Sequence, residues 1–335
     1  MTDPLDRLAD AERARLRPAR AAFVAPMLAT LTDDRFSDPA WVYERKLDGI
    51  RVVAACDGRG AHLWSRSEQR LDDTYPELVE AVAAQVVPGT VLDGEVVAFD
   101  GSRTSFERLQ GRSGLHERGA ALASGIPVFL YVFDVPVVGA HDVTPLPLRT
   151  RKRLLRAAVT AGGPLRITPH RNADGAEYLR EACARGWEGL IAKRADAPYR
   201  VGRRSPDWLK LKCVRAQELV IGGWTDPEGA RSGFGALLVG YHDGGGLRYA
   251  GKVGTGFDRR VLDELGVRMR RLDTAQRPFV DPVRAKGVHW VRPELVAQIG
   301  FTEWTRDGRL RHPRYLGLRE DKAPADVVRE EATRT

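Results

Sequence analysis

The chain has 335 residues, 43% of them hydrophobic, which is enough to bury a core and to form two domains. No apolar run reaches the ~20 residues that cross a bilayer, and the opening MTDPLDRLADAERARLRPAR lacks the apolar stretch of a secretory leader, so a helical membrane protein is disfavoured and a cytoplasmic one expected. A net charge of +8 and a pI near 9.6 favour polyanionic partners.

In chain order, residues up to about Asp34 read as helical and then irregular. From Trp41 the pattern becomes strand-rich, through WVYERKLDGIRVVAAC, AHLWSRS and TVLDGEVVAF, and Asp73-Thr74-Tyr75-Pro76-Glu77 opens an amphipathic helix over LVEAVAAQV. Further strands are expected at VFLYVFDV and GLIAKR, with helices around LRTRKRLLRAAVT and GAEYLREACARG. This order predicts an α+β domain over residues 1–214 rather than a regular parallel array. Beyond a boundary near Arg215, ELVIGGWT, GALLVGYH, LRYAGKVG and LVAQIGFTEWT alternate like short strands, joined by turns such as Asp243-Gly244-Gly245-Gly246 and interrupted by one helix, VLDELGVRMRRL. They fit a small barrel of the OB type over 215–323, and residues 324–335 read as a disordered tail. The three cysteines, Cys56, Cys183 and Cys213, are far apart and odd in number, which argues against a disulfide framework or zinc cluster and suggests buried thiols.

Positive charge is supplied unevenly, by eight lysines against 45 arginines. Arginine is locked in its protonated form, whereas lysine can lose a proton and attack an electrophile. Five lysines, Lys46, Lys193, Lys210, Lys212 and Lys322, fall in segments whose residue types suggest chemistry. Lys46-Leu47-Asp48-Gly49-Ile50-Arg51 lies between two apolar stretches and reads either as a hairpin with an exposed Lys–Asp pair or as a nucleophile on rigid backbone. At an unperturbed pKa of ~10.4 only about one amine in a few thousand is neutral at pH 7, and nearby positive charge would lower that pKa. Asp93-Gly94-Glu95 and Glu188-Gly189 each place carboxylates at an apolar strand. Singly they could be turn acids, while together they could share a Mg²⁺ with phosphate oxygens. Lys210 and Lys212 point to one face of a strand and suit an anion between them, or else a solvated edge. Phe133 could stack on a base or simply pack, and Arg200-Val201-Gly202-Arg203-Arg204 is either a phosphate-contact loop or a solvated turn.

Taken in order, KxDGxR from Lys46, Ser65-Arg66, Asp93-Gly94-Glu95, Phe133-Asp134, EGxxxK from Glu188 and KxK from Lys210 resemble the nucleotidyltransferase motifs of ATP-dependent DNA ligases and mRNA capping enzymes. The resemblance runs over nearly the whole chain. Pro26-Met27-Leu28-Ala29, AKRADAPYRVGRRSPDWLKLK, GKVGTGF and the closing RHPRYLGLREDK are most similar to bacterial ATP-dependent DNA ligases, especially the ligase module of end-joining enzymes and its stand-alone relatives. No polymerase or nuclease segment accompanies them, so a stand-alone enzyme or an excised module is expected.

The resemblance implies a nucleotidyltransferase (adenylation) domain of antiparallel sheets and helices followed by an OB-fold. It implies that Lys46 takes AMP from ATP as a phosphoramidate, that Glu44 lies near the adenine amino group with Phe133 stacked on the ring, and that Arg51, Arg66 and Glu95 hold the ribose and phosphates. Glu188 and Glu95 would serve a Mg²⁺ or Mn²⁺ ion, and Lys193, Lys210 and Lys212 would face the nucleotide. Arg319 and Lys322 would reach the pyrophosphate when the domains close. Asp48, Arg203 and Arg204 would touch DNA. The implied partners are nicked or broken duplex DNA, a DNA-end bridging protein and an end-joining polymerase, met by a monomer at the bacterial nucleoid. An RNA ligase or a GTP-using capping enzyme shares this chemistry. A non-catalytic OB-fold binder would explain the charge and the C-terminal strands but not the ordered lysine and carboxylate segments.

Overall fold

Strands alternating between apolar and charged residues build two sheets in the first part of the chain. The computed structural model describes residues 3–213, 215–227, 233–305 and 307–330. One sheet runs Arg17–Pro18, His141–Asp142, Phe129–Val138, Thr90–Val97, Ile50–Cys56, Ala61–Ser65, antiparallel throughout, with Leu165–Ile167 added parallel to Phe129–Val138. The other runs His170–Asn172, Trp41–Lys46, Gly189–Arg194, Arg204–Lys212, with Leu28–Leu31 parallel at its edge.

Side chains alternate across a strand, so each sheet has two faces of different character. In the first, Ile50, Val52, Ala54, Leu92, Val96, Leu130 and Val132 meet Leu78 and Val82 of the helix Pro76–Gln85 and Leu154 and Leu155 of the helix Leu148–Ala158. In the second, Tyr43, Leu190, Ala192, Leu209 and Leu211 meet Tyr178, Leu179 and Ala182 of the helix Gly175–Ala184. Fully burying each such side chain contributes about 1.5–3 kcal/mol. The remaining faces carry the charged motif residues.

Gly189 shows how closely these strands approach. Its φ is +148°, and an added Cβ would lie 2.0 Å from the Leu211 carbonyl oxygen. Only glycine fits there, which explains the second letter of the EGxxxK segment.

The contacts divide the chain after Cys213, and Val214–Glu330 forms a second unit. Its sheet order is Leu247–Val253, Leu237–His242, Arg215–Thr225, Val288–Phe301, Arg314–Leu318, all antiparallel. The helix Arg259–Arg271 buries Leu262, Leu265 and Met269 against it, and Asp258 caps that helix by accepting the Val261 N–H at 2.7 Å. These are the elements of the expected OB-type fold, and the chain leaving Leu247–Val253 meets the other outer strand, Arg314–Leu318, where the Tyr315 N–H donates to the Thr255 carbonyl at 3.0 Å.

Two expectations are corrected. Cys183 and Cys213, 30 residues apart in sequence, form a disulfide with Cα atoms 5.2 Å apart. Chain spacing conceals this because the helix Gly175–Ala184 folds back over its sheet and sets its end beside the end of Arg204–Lys212. Cys56 is a buried thiol, as expected. The expected tail is docked as far as Glu330: Val327 is fully buried, His242 N donates to its carbonyl at 2.7 Å, and Gln217 Nε2 donates to Val328 O at 3.0 Å. One apolar anchor among polar neighbours is too weak a compositional signal to reveal this. Residues 331–335 of that expected tail lie outside the described residues. Among the described residues, no helix is long and apolar enough to cross a membrane.

Gly189→Ala should destabilise the protein by about 2–4 kcal/mol, because a strained backbone would meet a neighbouring carbonyl. Urea unfolding measures this, and a loss under about 0.5 kcal/mol, the range of ordinary surface changes, would show that the strand pair yields freely.

Candidate active site

Cross-strand register sets the site. Lys46, Gly189 and Lys212 form one row across the second sheet; His170, Glu44, Ile191 and Lys210 form the next; Val42, Lys193 and Trp208 form a third. These rows are two residues apart, so Lys46, Glu44, Lys193, Lys210 and Lys212 share one face.

Lys46 ends its strand and donates to Glu188 Oε2 at 2.6 Å, with side-chain exposures of 19% and 18%. Burial by itself would lower the Lys46 pKa, but Glu188, helped by Glu95, holds it up at about 12. The carboxylates beside Lys46 thus raise its pKa, where the sequence alone predicts that nearby positive charge, from lysines or a metal ion, would lower it. Glu95 sits on the other sheet, in register with Arg51, and accepts the Gly49 N–H at 3.2 Å. A Cβ on Gly49 would lie 2.1 Å from the Val96 carbonyl oxygen, so the glycine of the KxDG segment lets its turn lie against the strand carrying Glu95. The Asp48 N–H donates to Thr104 Oγ1 at 3.3 Å.

Arg51 is held by fully buried Asp93 through two hydrogen bonds, 2.5 Å from Nε and 2.6 Å from Nη2, and Nη2 also donates to Met27 O at 3.1 Å. Tyr199 completes the cluster, donating to Asp93 at 2.7 Å and accepting the Met27 N–H at 3.0 Å. The Arg51 guanidinium carbon lies 4.7 Å from the centre of the Phe133 ring. Phe133 packs edge-on to Trp208 at 6.2 Å, with Met27 and Tyr199 in the same cluster.

Glu44 is buried between two ammonium groups. Lys193 Nζ lies 2.6 Å from one oxygen, and Lys152 Nζ donates to the other and to Phe133 O, the latter at 3.0 Å. Burial would raise the Glu44 pKa, and the two lysines hold it below the usual carboxylate range. Burial lowers Lys193 to about 8 despite Glu44, and its ammonium lies 4.0 Å from the Phe133 ring centre and 4.1 Å from that of Trp208.

The remaining expected residues lie further out. Arg66 follows the edge strand Ala61–Ser65, half-buried, with no hydrogen bond or ion pair among the described residues. Arg203 and Arg204 are exposed; Arg204 donates to Ala29 O, and Arg203 borders a shallow depression of about 280 Å³ with Arg200 and Tyr199. In the second unit, Arg319 makes paired hydrogen bonds to Asp321 at 2.9 and 2.8 Å, and Lys322 donates to Glu218 at 3.3 Å.

Sequence reasoning missed Lys152, Tyr199 and His170. A signal for Lys152 existed: it is the lone lysine beside four arginines in Leu148–Ala158, in a chain that otherwise writes Arg for plain charge. His170 stands in the Glu44 row, and burial with Lys152 nearby lowers its pKa to about 4, so it is neutral at pH 7.

Among the described residues no three His, Cys, Asp or Glu side chains converge as a metal cage. Glu188 and Glu95 around one amine instead suit a Mg²⁺ whose other ligands are phosphate oxygens and water.

Lys46 titrates above its ordinary 10.5, so its pairing with Glu188 stabilises the fold fully below that pH and is lost as pH rises through about 12. Glu188→Gln should remove this dependence and, at pH 8 without nucleotide, speed acetylation of Lys46 by a small amine reagent; peptide mapping showing unchanged labelling would contradict the pairing. Glu44→Gln should cost about 3–5 kcal/mol in urea unfolding, since two buried ammonium groups lose their counter-charge. A loss under about 1 kcal/mol, no more than an exposed ion pair contributes, would show them already neutral or hydrated.

Residues 26–212 match the ATP dependent DNA ligase domain, and residues 230–322 match the ATP dependent DNA ligase C terminal region. The multifunctional non-homologous end joining protein LigD of Mycolicibacterium smegmatis is 37% identical over 318 residues, covering 93% of this chain and 40% of that protein. LigD of Pseudomonas aeruginosa is 35% identical, over 97% of this chain and 40% of its own length. A probable DNA ligase of Anaeromyxobacter dehalogenans is 34% identical, covering 96% of this chain and 64% of that protein. The chain thus spans about two fifths of the LigD relatives it matches. A solved structure of mycobacterial DNA ligase D complexed with ATP and MES aligns with a TM-score of 0.65 at 36% identity, over 92% of this chain and 98% of that one. With these matches falling on the strands that carry the lysine and carboxylate rows, the chain belongs to the ATP-dependent DNA ligase family.

Proposed function

We propose that this chain joins 5′-phosphate and 3′-hydroxyl ends in duplex DNA through an AMP carried on Lys46. The observation that carries the reading is the Lys46 amine paired to Glu188 at 2.6 Å on a sheet face that also presents Glu44, Lys193, Lys210 and Lys212. In the first step the neutral Lys46 amine attacks the α-phosphorus of ATP. A P–N bond forms, the P–O bond to the β-phosphate breaks, pyrophosphate leaves, and the nitrogen gives up one proton to solvent. Glu188 and Glu95 would hold a Mg²⁺ or Mn²⁺ ion, which would supply positive charge against the carboxylates that keep Lys46 protonated. Lys210 and Lys212 balance charge on the α-phosphate oxygens, and Glu44 with Phe133 bounds the base. Arg51, Arg66 and Lys193 complete the nucleotide's surroundings, with Arg319 and Lys322 serving the pyrophosphate end.

The AMP then passes from Lys46 to the 5′-phosphate of the break, and the 3′-hydroxyl attacks that phosphorus and expels AMP, each step an in-line displacement dominated by positioning. Asp48, Arg203 and Arg204 are assigned to the DNA, in keeping with the +8 charge. The LigD relatives, named for non-homologous end joining, support a place in end joining. The proposal adds a DNA-end bridging protein and an end-joining polymerase as partners of a monomer at the nucleoid in the bacterial cytoplasm.

Incubation with α-labelled ATP and Mg²⁺, followed by denaturing electrophoresis, tests the reading. The wild type should retain label, and both Lys46→Ala and Lys46→Arg should lose it, the second because charge remains without a usable nucleophile. Persistent labelling of either variant removes Lys46 as the attachment point, and an adduct formed with GTP alone moves the chain to the capping class.

A further inference from the structure

We propose that Cys183 and Cys213 form a reversible redox site that governs how firmly Glu188 and Lys212 are presented to Lys46. Cys183 is the penultimate residue of the helix Gly175–Ala184, and Glu188 follows five residues later. Cys213 follows Lys212 directly, and its N–H donates to the Glu188 carbonyl at 2.9 Å. Gly189, next to Glu188, is in register with Lys212 on one side and Lys46 on the other. The disulfide therefore closes a 30-residue loop that contains the strands Gly189–Arg194 and Arg204–Lys212. Near its two ends lie the acid that pairs with Lys46 and the last lysine of the KxK segment.

The bond is placed to be made and broken without loss of the fold. Both cysteines are half-buried, unlike Cys56 beneath the first sheet, so a small thiol can reach the sulfurs. Apart from the disulfide, the segment between Cys183 and Glu188 is held by Trp187, edge-on to Tyr178 at 6.0 Å and under the Arg45 guanidinium at 4.4 Å, and by the register of Gly189–Arg194 with Arg204–Lys212. What is lost is the covalent limit on the separation of Glu188 and Lys212. Chemically, the disulfide and two molecules of a low-molecular-weight thiol give two cysteine thiols and one external disulfide, through a mixed disulfide. In the oxidising direction two electrons pass to the external disulfide and two protons to the thiols released. In a reducing compartment such bonds are transient and sensory rather than structural. Oxidising conditions, which also break DNA, would then close the loop and favour AMP loading.

This inference rests on the ligase reading, so its test carries one readout that does not. Wild type in the oxidised and the thiol-reduced state, each verified by intact mass and circular dichroism, is compared with Cys183→Ser and Cys213→Ser. Reduction should raise the KM for ATP in adduct formation several-fold, with both variants fixed at the reduced value whatever thiol is present. Without nucleotide, reduction should also speed acetylation of Lys46 several-fold, because Glu188 is held less tightly against it. Equal kinetics and equal acetylation in the two verified states would overturn the proposal, as would a wild type that stays fully reduced in excess external disulfide. If neither state forms an adduct but acetylation still differs, the redox site stands and the ligase reading falls.

Discussion

Charge buried between two sheet faces is the constraint on which this site depends. Glu44 is met by Lys152 and Lys193, Arg51 by Asp93, and Lys46 by Glu188. Behind them Arg151 and Asp134 form a fully buried pair, with hydrogen bonds of 2.8 and 2.9 Å and the arginine also donating to Leu146 O and Ala197 O. An unpaired ion in such a place costs several kcal/mol, so these groups must be assembled as a set. In the proposed reading, these pairs hold cations beside a triphosphate without letting them repel one another before it arrives.

That pairing explains the resting chemistry of the nucleophile. A lysine meant to attack must give up its proton, yet Lys46 is kept charged by the acid beside it. The buried lysine whose pKa falls is Lys193, which has aromatic rings for neighbours and shares Glu44 with a second ammonium. In the proposed reading, readiness to react is not stored in this pairing but arises when an arriving charge competes for Glu188.

Much of this was legible in the sequence because strand geometry is local. A period of two places Lys210 and Lys212 on one face, and the glycines beside Lys46 and Glu188 mark close backbone approaches that the structure contains. The second unit's strands and helix fall where alternation and the Gly-rich turns put them. What could not be read depends on elements distant in sequence. Tyr199 reaches Asp93 across 106 positions, and Lys152 reaches Glu44 across 108. The Cys183–Cys213 contact and the docking of Val327 are likewise made only when remote segments meet.

The single-sidedness of Trp41–Lys46 and Arg204–Lys212 reaches beyond substitution. Each strand puts its chemistry on one parity of positions and its packing on the other, Tyr43 and Leu211 alternating with Glu44 and Lys212. Loss or gain of one residue inside either strand would turn lysines into the helix-covered layer and leucines onto the charged face, failing at both faces at once. Length changes in this family member are therefore confined to its loops by the geometry of the pleat.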